Sequence, residues 1–337
     1  MTETVEKALN FSTTSDPDPT SARALGIWFT VIAIIGIPMN LYLVVGSLIT
    51  KSVRSNPANY FLINLALADT VSLLSCAFHL YYGLFFDELI CKICGIGLYM
   101  SGFASVMLPP FIAISRYVVI VDQRSSRLVL ILKPLFCKVG IIAMNSIVWL
   151  YQLGYTIPLL ILDKFGLDPI GVCGITKMPS VFAVYYFILV PSSLLALLVC
   201  YRKLECMVRR MSSQCQMANV TICAPNRMQD TKNLLKLLKW IALLPLVFAL
   251  LPTIIEIGLR WNDQFVSIRT GRAVVALFPL SHLVNPFLTV RFSRTFRVLL
   301  HRAVVKSSFT NRFFLWLFHY KSGENSDYNP NVEMANV

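Results

Sequence analysis

Polar side chains lie inside long apolar runs of this sequence, and Asp69 is the plainest case. It ends the stretch Asn64-Leu-Ala-Leu-Ala-Asp69. About nine helical residues at ~1.5 Å each would place it roughly 14 Å below one end of its run. A bare carboxylate at that depth requires protonation, a polar partner or a bound cation. Asp69 is therefore a candidate site residue.

Two further polar groups mark other apolar runs. Arg116 ends one run in the tripeptide Ser115-Arg116-Tyr117, and Asn285-Pro286 lies near the end of the last run. Pro286 removes a backbone hydrogen bond and kinks a helix, while the Asn285 side chain can bond the freed groups or reach towards Asp69. We interpret the three positions as parts of one pattern.

The elements that must position these residues are membrane helices. Hydrophobic residues make up 56% of the 337-residue chain and charged residues only 14%, against about 25% charged in soluble domains. This composition disfavours a soluble enzyme, a disordered chain and a disulfide-rich secreted module. Helices need ~20 residues to cross ~30 Å of hydrocarbon. We predict spans one to seven at 25–50, 59–86, 93–121, 135–162, 181–201, 233–259 and 271–290.

Basic residues set the orientation of these spans. Most of the 30 Lys and Arg residues lie in loops 51–58, 122–134 and 202–232 or after residue 290. Positively charged loops stay in the cytoplasm. We therefore predict a multi-pass plasma-membrane protein with its N-terminus outside the cell and its C-terminus in the cytoplasm. Asn10-Phe11-Ser12 is a glycosylation acceptor in the predicted outer tail.

Three of the nine cysteines lie on the predicted outer side. Cys91 and Cys94 begin span three, and Cys173 lies in the loop between spans four and five. A disulfide between Cys91 and Cys173 would tie that loop to the mouth of the bundle. Cys94, one helical turn deeper, is the rival partner, and three free thiols are the other alternative.

Taken in order along the chain, these features resemble the rhodopsin-like (class A) G protein-coupled receptors over residues 25–300. The resemblance rests on an ordered set of residues: Gly36, Asn40, Asp69, Cys91, Arg116, Trp149, Pro191, Pro252 and Asn285-Pro286. After span seven, Phe292-Ser-Arg-Thr-Phe-Arg297 resembles the family's short amphipathic eighth helix. The resemblance implies an all-α membrane protein, a seven-transmembrane helix bundle with this eighth helix. Its parts would be an extracellular tail at 1–24, a receptor domain at 25–304 and a cytoplasmic tail at 305–337.

The resemblance also implies a function. Receptors of this family bind an extracellular ligand and activate a heterotrimeric G protein as span six moves outward. The disulfide would join Cys91 and Cys173. The coupling site would comprise Ser115, Arg116 and Tyr117, and the activation kinks Pro191, Pro252 and Pro286. The resemblance further implies a sodium site, the sole metal or cofactor expected, formed by Asp69, Ser105, Ser281 and Asn285.

Several of the family's usual residues are replaced in this chain. Ser115 stands where an acidic residue usually precedes Arg116, and Lys232 and Lys236 stand where span six usually offers a carboxylate. We therefore expect Arg116 to be weakly restrained at rest. Leu250 replaces the family's usual toggle Trp and Thr289 its Tyr, which indicates a divergent receptor or one that has lost signalling.

The residue types that the predicted spans lack exclude two classes of ligand. Residues 271–290 contain no Lys, which excludes the retinal Schiff base of opsins, and residues 91–121 contain no Asp or Glu, so the counter-ion of amine receptors is absent. Polar candidates near the outer side are His79, Tyr99, Tyr155, Tyr185, Glu256 and Arg272. A small chemosensory or lipid-like molecule and a short peptide both remain open.

A small multi-pass secondary transporter is the alternative function. It would need coupling carboxylates and usually internal repeats, whereas only Asp69 and Glu256 are acidic within the predicted spans and no repeat is visible. An intramembrane hydrolase is disfavoured because the histidines lack metal-ligand spacing; they are His79, His282, His301 and His319. We predict neither enzymatic activity nor binding to nucleic acid.

Overall fold

The structure of the protein is a computed structural model, and its helices agree with the predicted spans. It describes residues 19–120, 133–168, 171–176, 180–217, 268–293 and 296–298, with isolated residues between 232 and 248. Span one is Pro19–Ile49, span two Asn59–Phe85, span three Glu88–Ile120, span four Lys138–Ile161, span five Ser180–Met217, and span seven Ile268–Val275 with Phe278–Phe292. Asn10, Pro252 and Glu256 lie outside the described residues.

The outward surface of these helices is apolar, as a bilayer requires. Among the described residues, four helices are long and apolar enough to cross a membrane, at Arg23–Ile49, Asn59–Phe85, Glu88–Val118 and Arg269–Phe292. Large apolar side chains on their surfaces and on span four are exposed, including Ile34 at 67% and Ile161 at 77%. Water would oppose such a surface, so hydrocarbon is the surrounding medium. The membrane fold class is confirmed.

Spans one and two pack closely because small residues let their backbones approach. A Cβ atom added at Gly26 would lie 2.7 Å from the Leu80 Cα atom, and one added at Gly36 would lie 2.5 Å from the Leu73 Cδ1 atom. Contacts of this kind, rather than hydrophobic burial alone, hold helices together in lipid. The pairing of these spans places Asn40 and Asp69 on the inside of the bundle.

Span three is the centre of the bundle and packs against spans two, four and five. Its residues Leu108 and Ile112 are fully buried against Phe61 and Leu65 of span two. Phe296, which follows span seven, is also buried in this core, and Phe296, Arg297 and Val298 are helical. Of the predicted eighth helix, residues 292–297, the structure describes Phe292 as the last residue of span seven, Ser293 as its C-cap, and the helical residues Phe296 and Arg297.

Span five extends well past its predicted end at residue 201. The helix runs to Met217, and its added turns carry charged residues such as Glu205 and Arg209, whose side chains form an ion pair at 2.6 Å. An apolar run ends where the hydrocarbon ends, but an i,i+4 ion pair supports the helix beyond it. Hydropathy therefore located the membrane segment and missed the charged extension of the helix to Met217.

The sequence also did not predict a two-stranded hairpin in the loop between spans four and five, a short helix at Lys51–Arg54 or a 3-10 helix at Lys133–Phe136. Strand β1 (Phe165–Leu167) pairs antiparallel with strand β2 (Cys173–Ile175), and Leu167 lies opposite Cys173. The strands pack on span three, where a Cβ atom added at Gly95 would lie 2.9 Å from the Phe165 ring. The hairpin is therefore seated directly on the outer end of span three.

Candidate functional site

The centre of the bundle holds a polar cluster around Asp69, whose side chain is fully buried. Ser105 Oγ of span three donates to Asp69 Oδ1 at 3.0 Å, and Asn285 Nδ2 of span seven donates to Asp69 Oδ2 at 2.8 Å. His282 Nδ1, also from span seven, lies 2.6 Å from Asp69 Oδ1. The carboxylate thus joins spans two, three and seven.

Span one completes this cluster through backbone contacts. Asn40 Nδ2 donates to the carbonyl oxygens of Gly36 at 3.0 Å and His282 at 3.1 Å. The hydrogen bond to the His282 carbonyl oxygen fixes the backbone of span seven at the residue whose ring contacts Asp69. Spans three and seven therefore contact the buried carboxylate of span two directly, which provides the polar partners that its depth requires, and span one holds span seven beside it.

The four predicted sodium ligands are not equivalent in this arrangement. Ser105 and Asn285 contact Asp69, whereas Ser281 Oγ donates to the Phe278 carbonyl oxygen at 2.9 Å. The sequence analysis did not include His282 in the site. The available signal was its spacing, because a residue three positions before Asn285 lies on the same face of a helix.

Arg116 at the inner end of span three has a neutral partner. Its Nη2 atom donates to Asn59 Oδ1 at 3.2 Å, and Asn59 Nδ2 donates in turn to the Val53 carbonyl oxygen at 3.0 Å. Ser115 is fully buried and donates to the Ile112 carbonyl oxygen at 2.7 Å. The amide of Asn59 therefore contacts Arg116, a role that the sequence analysis did not assign to any residue.

Tyr117, the third predicted coupling residue, is half-buried and packs at the edge of the inner core. Lys232, which begins the described part of span six, is exposed. A lysine repels rather than binds a guanidinium, so this residue offers Arg116 no ion pair. Among the described residues, the hydrogen bond that holds Arg116 comes from the Asn59 amide of span two.

A second amide network joins spans two and four. Trp149 Nε1 donates to Asn64 Oδ1 at 2.8 Å, and Asn64 Nδ2 donates to Asn145 Oδ1 at 2.7 Å. Asn145 Nδ2 bonds back to the Ile141 carbonyl oxygen at 2.9 Å. Trp149 therefore positions span four by a hydrogen bond as well as by packing.

The outer end is tied together by the predicted disulfide. Cys91 and Cys173 are bonded with their Cα atoms 5.1 Å apart, and Cys94 is free and buried. This prediction is confirmed, and the rival pairing through Cys94 is wrong. Lys92 adds an ion pair to Asp163 at 2.8 Å, and this ammonium lowers the pKa of the Asp163 carboxyl from its usual value.

The candidate ligand residues fall into separate clusters. Tyr99 and Tyr155 lie in one apolar cluster, where their rings contact Phe165 at 6.0 Å and Phe103 at 5.2 Å between centroids. His79 is fully buried elsewhere, with Phe29 of span one 5.6 Å away. Arg272 is half-buried on the first helix of span seven, and the side chain of Tyr185 lies outside the described residues.

Gln152 is a buried polar residue that the sequence analysis missed. Its side chain is fully buried on span four, one turn below Tyr155, and its Nε2 and Oε1 atoms have no hydrogen-bond partner among the described residues. Thr156 Oγ1, beside it on the same face, is in the same condition. Glutamine in an apolar span was a detectable signal, because buried amides need partners.

The described helices, joined by a buried polar centre and tied by a disulfide to the loop between spans four and five, define a helical multi-pass membrane protein. The family described as "7 transmembrane receptor (rhodopsin family)" matches residues 39–288. The chain belongs to the rhodopsin family of seven-transmembrane receptors. It is accordingly a multi-pass plasma-membrane protein, and its family consists of receptors rather than enzymes.

Individual relatives are distant and match only part of the chain. "Rhodopsin, G0-coupled" of Mizuhopecten yessoensis is 31% identical over 30% of this chain and 27% of its own length. "Proteinase-activated receptor 1" of Xenopus laevis is 28% identical over 40% of this chain and 32% of its own. "C-C chemokine receptor type 8" of Macaca mulatta is 25% identical over 41% of this chain and 38% of its own. The matched region therefore spans well under half the length of each relative.

A solved structure extends the likeness over nearly the whole fold. The structure "Crystal structure of squid rhodopsin" superposes with a TM-score of 0.72 and 20% identity, covering 93% of this chain and 92% of that one. At this identity the likeness shows the fold alone. It agrees with the helix order described above.

Proposed function

We propose that this protein is a G protein-coupled receptor that binds an extracellular ligand and activates heterotrimeric G proteins. The observation that carries the proposal is the placement of Arg116 at the inner end of span three, where its guanidinium donates a hydrogen bond to the neutral amide of Asn59. Family membership supports the two partners, an extracellular ligand and a G protein. The seven-helix fold supports the transmission between them.

Activation is a shift between two populations of the receptor. A ligand that binds the active arrangement more tightly raises its share, and span six then moves outward and opens an inner groove. Arg116 exchanges Asn59 for the C-terminal segment of the G protein. Because Asn59 is neutral, its hold on the guanidinium is weaker than that of a carboxylate, so the resting receptor signals measurably without ligand.

The inner surface supports binding of an acidic partner. Basic residues lie along the inner end of span five and the described start of span six, including Arg209, Arg210, Lys232, Lys236 and Lys239. They attract acidic lipid headgroups and an acidic protein surface. We therefore place the G protein on this face, with the N-terminus outside the cell and Asn10 available for glycosylation.

The chemistry of the ligand follows from the outer residues. Tyr99 and Tyr155 lie in an apolar, aromatic cluster beneath the hairpin, and of the six candidate residues only Glu256 and Arg272 carry charge. This favours a small, mainly apolar molecule, chemosensory or lipid-like, over a short peptide. Residues 271–290 contain no Lys, so the ligand is not a retinal held as a Schiff base on span seven.

A ligand screen with a G protein readout tests the proposal. Membranes containing the receptor would be exposed to small lipid-like and odorant-like molecules and to short peptides, with nucleotide exchange on each G protein class as the signal. We expect a response to a small apolar molecule that Arg116→Ala abolishes. A peptide response would correct the ligand class, and solute uptake into vesicles without nucleotide exchange would identify a transporter.

A further inference from the structure

The carboxylate of Asp69 is already satisfied by protein groups on both oxygens. Oδ1 is contacted by Ser105 Oγ at 3.0 Å and by His282 Nδ1 at 2.6 Å, and Oδ2 accepts from Asn285 Nδ2 at 2.8 Å. An ionised carboxylate only accepts hydrogen bonds. With Asp69 ionised, the Nδ1 atom of His282 donates a hydrogen to Oδ1.

This arrangement does not fit a sodium ion. A hard cation takes oxygen ligands that converge on one point. Here the shorter of the two contacts to Asp69 Oδ1 comes from an imidazole nitrogen. The Ser281 hydroxyl donates instead to the Phe278 carbonyl oxygen. The features that favour an ion are Asn285 Oδ1 and Asn40 Oδ1, two buried oxygens without a hydrogen-bond partner among the described residues. Two such oxygens, on spans seven and one, do not make a coordination shell while an imidazole nitrogen contacts Asp69 Oδ1.

The imidazole is held in place by its surroundings. His282 is 1% exposed, its backbone carbonyl oxygen accepts from Asn40 Nδ2 at 3.1 Å, and its ring lies edge-on to Phe278 with the centroids 4.9 Å apart. The backbone hydrogen bond and the edge-on aromatic contact therefore restrain the ring beside the carboxylate.

We propose that His282 takes the place of the sodium ion expected from family resemblance, so that Asp69 is satisfied by an imidazole N–H and the site excludes the cation. Span seven is then joined to span two directly rather than through an ion. The receptor is insensitive to sodium, and removing the imidazole opens a site that sodium can enter.

Thermal unfolding of the purified receptor tests this with sodium itself as the probe. Wild type and variants in lipid nanodiscs would be melted as choline chloride is replaced by sodium chloride, up to about 300 mM at constant ionic strength. An ion that binds only the folded state raises the Tm in proportion to ln(1 + [Na⁺]/Kd). We expect no sodium-dependent rise in wild type and a clear rise in His282→Ala, lost again when Asp69→Asn is added.

His282→Gln is the matched control, because its side-chain amide keeps an N–H donor near the carboxylate and should leave the Tm independent of sodium. A sodium-dependent Tm in wild type that Asp69→Asn removes would show that the ion binds beside His282, and the proposal would be wrong. A folded His282→Ala variant without any sodium response would also overturn it. If His282→Ala does not fold, the ²³Na relaxation rate measured with the wild-type receptor tests the proposal instead. Excess ²³Na relaxation that Asp69→Asn removes would contradict the proposal. The absence of excess relaxation in wild type would support it.

Discussion

Replacing Asn59 by alanine should release Arg116 and raise the ligand-free activity of the receptor. Arg116 Nη2 donates to Asn59 Oδ1 at 3.2 Å, and Asn59 is 3% exposed. Arg116 Nε has no hydrogen-bond partner among the described residues. Loss of the amide therefore removes a main restraint on the guanidinium in the resting state.

The size of this effect follows from the geometry of the bond. A hydrogen bond to a charged group contributes about 1.5–3 kcal/mol, and 3.2 Å lies at the long end of the N–H···O range. We take the lower limit, close to the ~1.4 kcal/mol that changes an equilibrium constant tenfold. While the active state is a minor population, ligand-free nucleotide exchange should rise about tenfold.

The assay measures nucleotide exchange on purified G protein by receptors at equal surface expression. Asn59→Asp places a carboxylate at the same position and should lower the ligand-free rate, although it loses the bond to the Val53 carbonyl oxygen. General damage to the fold would reduce signalling in both variants, so opposite signs isolate the restraint. Asn145→Ala removes an amide that contacts Asn64 rather than Arg116 and should leave the rate unchanged.

The restraint is refuted if Asn59→Ala leaves ligand-free exchange at the wild-type rate while Arg116→Ala abolishes coupling. Those two results would retain Arg116 as the coupling residue and show that Asn59 does not restrain it.

Three further predictions concern the outer end and the packing of the bundle. Cys173→Ser should lower the free energy of unfolding of the purified receptor by about 2–4 kcal/mol, because the disulfide closes a long loop. Cys94→Ser should have a small effect. Equal losses in the two variants would contradict the pairing of Cys173 with Cys91. Gly26→Ala should reduce the yield of folded receptor, because the added Cβ atom would meet the Leu80 backbone. Gly154→Ala should be tolerated, because a Cβ atom added there has no atom within 4 Å. Equal yields of the two variants would refute the close packing of spans one and two. Because the pKa of Asp163 is depressed, its ion pair with Lys92 stabilises the fold at neutral pH. This contribution is lost as the pH falls from the ordinary carboxyl value of about 3.9 through the depressed one. Asp163→Asn should therefore flatten the acid branch of a Tm–pH curve, and an unchanged acid branch would argue against the ion pair.

The spans were predictable because their signal is local. Runs of apolar residues follow directly from the thickness of the bilayer, and six of the seven were matched by described helices. The pairing of Cys91 with Cys173 followed from the family resemblance, because the residues alone left Cys94 as a rival partner. Residues such as Asp69 and Arg116 were detectable because a polar group inside a span demands an explanation.

The partners of those polar residues were not predictable. Asn59 is an ordinary polar residue near a helix start, and only the packing of span two against span three places it beside Arg116. His282 lies three residues before Asn285, yet its contact with Asp69 depends on the rotation of span seven. The hairpin and the extension of span five lack hydropathy signals, because neither lies in the hydrocarbon.

Ligand-free nucleotide exchange by the purified wild-type receptor, compared with Arg116→Ala, tests the central claim most directly. Both proteins would be placed in nanodiscs with each class of heterotrimeric G protein, after intact folding is confirmed by the Cys91–Cys173 disulfide and a monodisperse elution profile. We predict exchange above the receptor-free rate for wild type with at least one class, and exchange at the receptor-free rate for Arg116→Ala. Wild-type exchange at the receptor-free rate with every class would contradict a weakly restrained, signalling receptor.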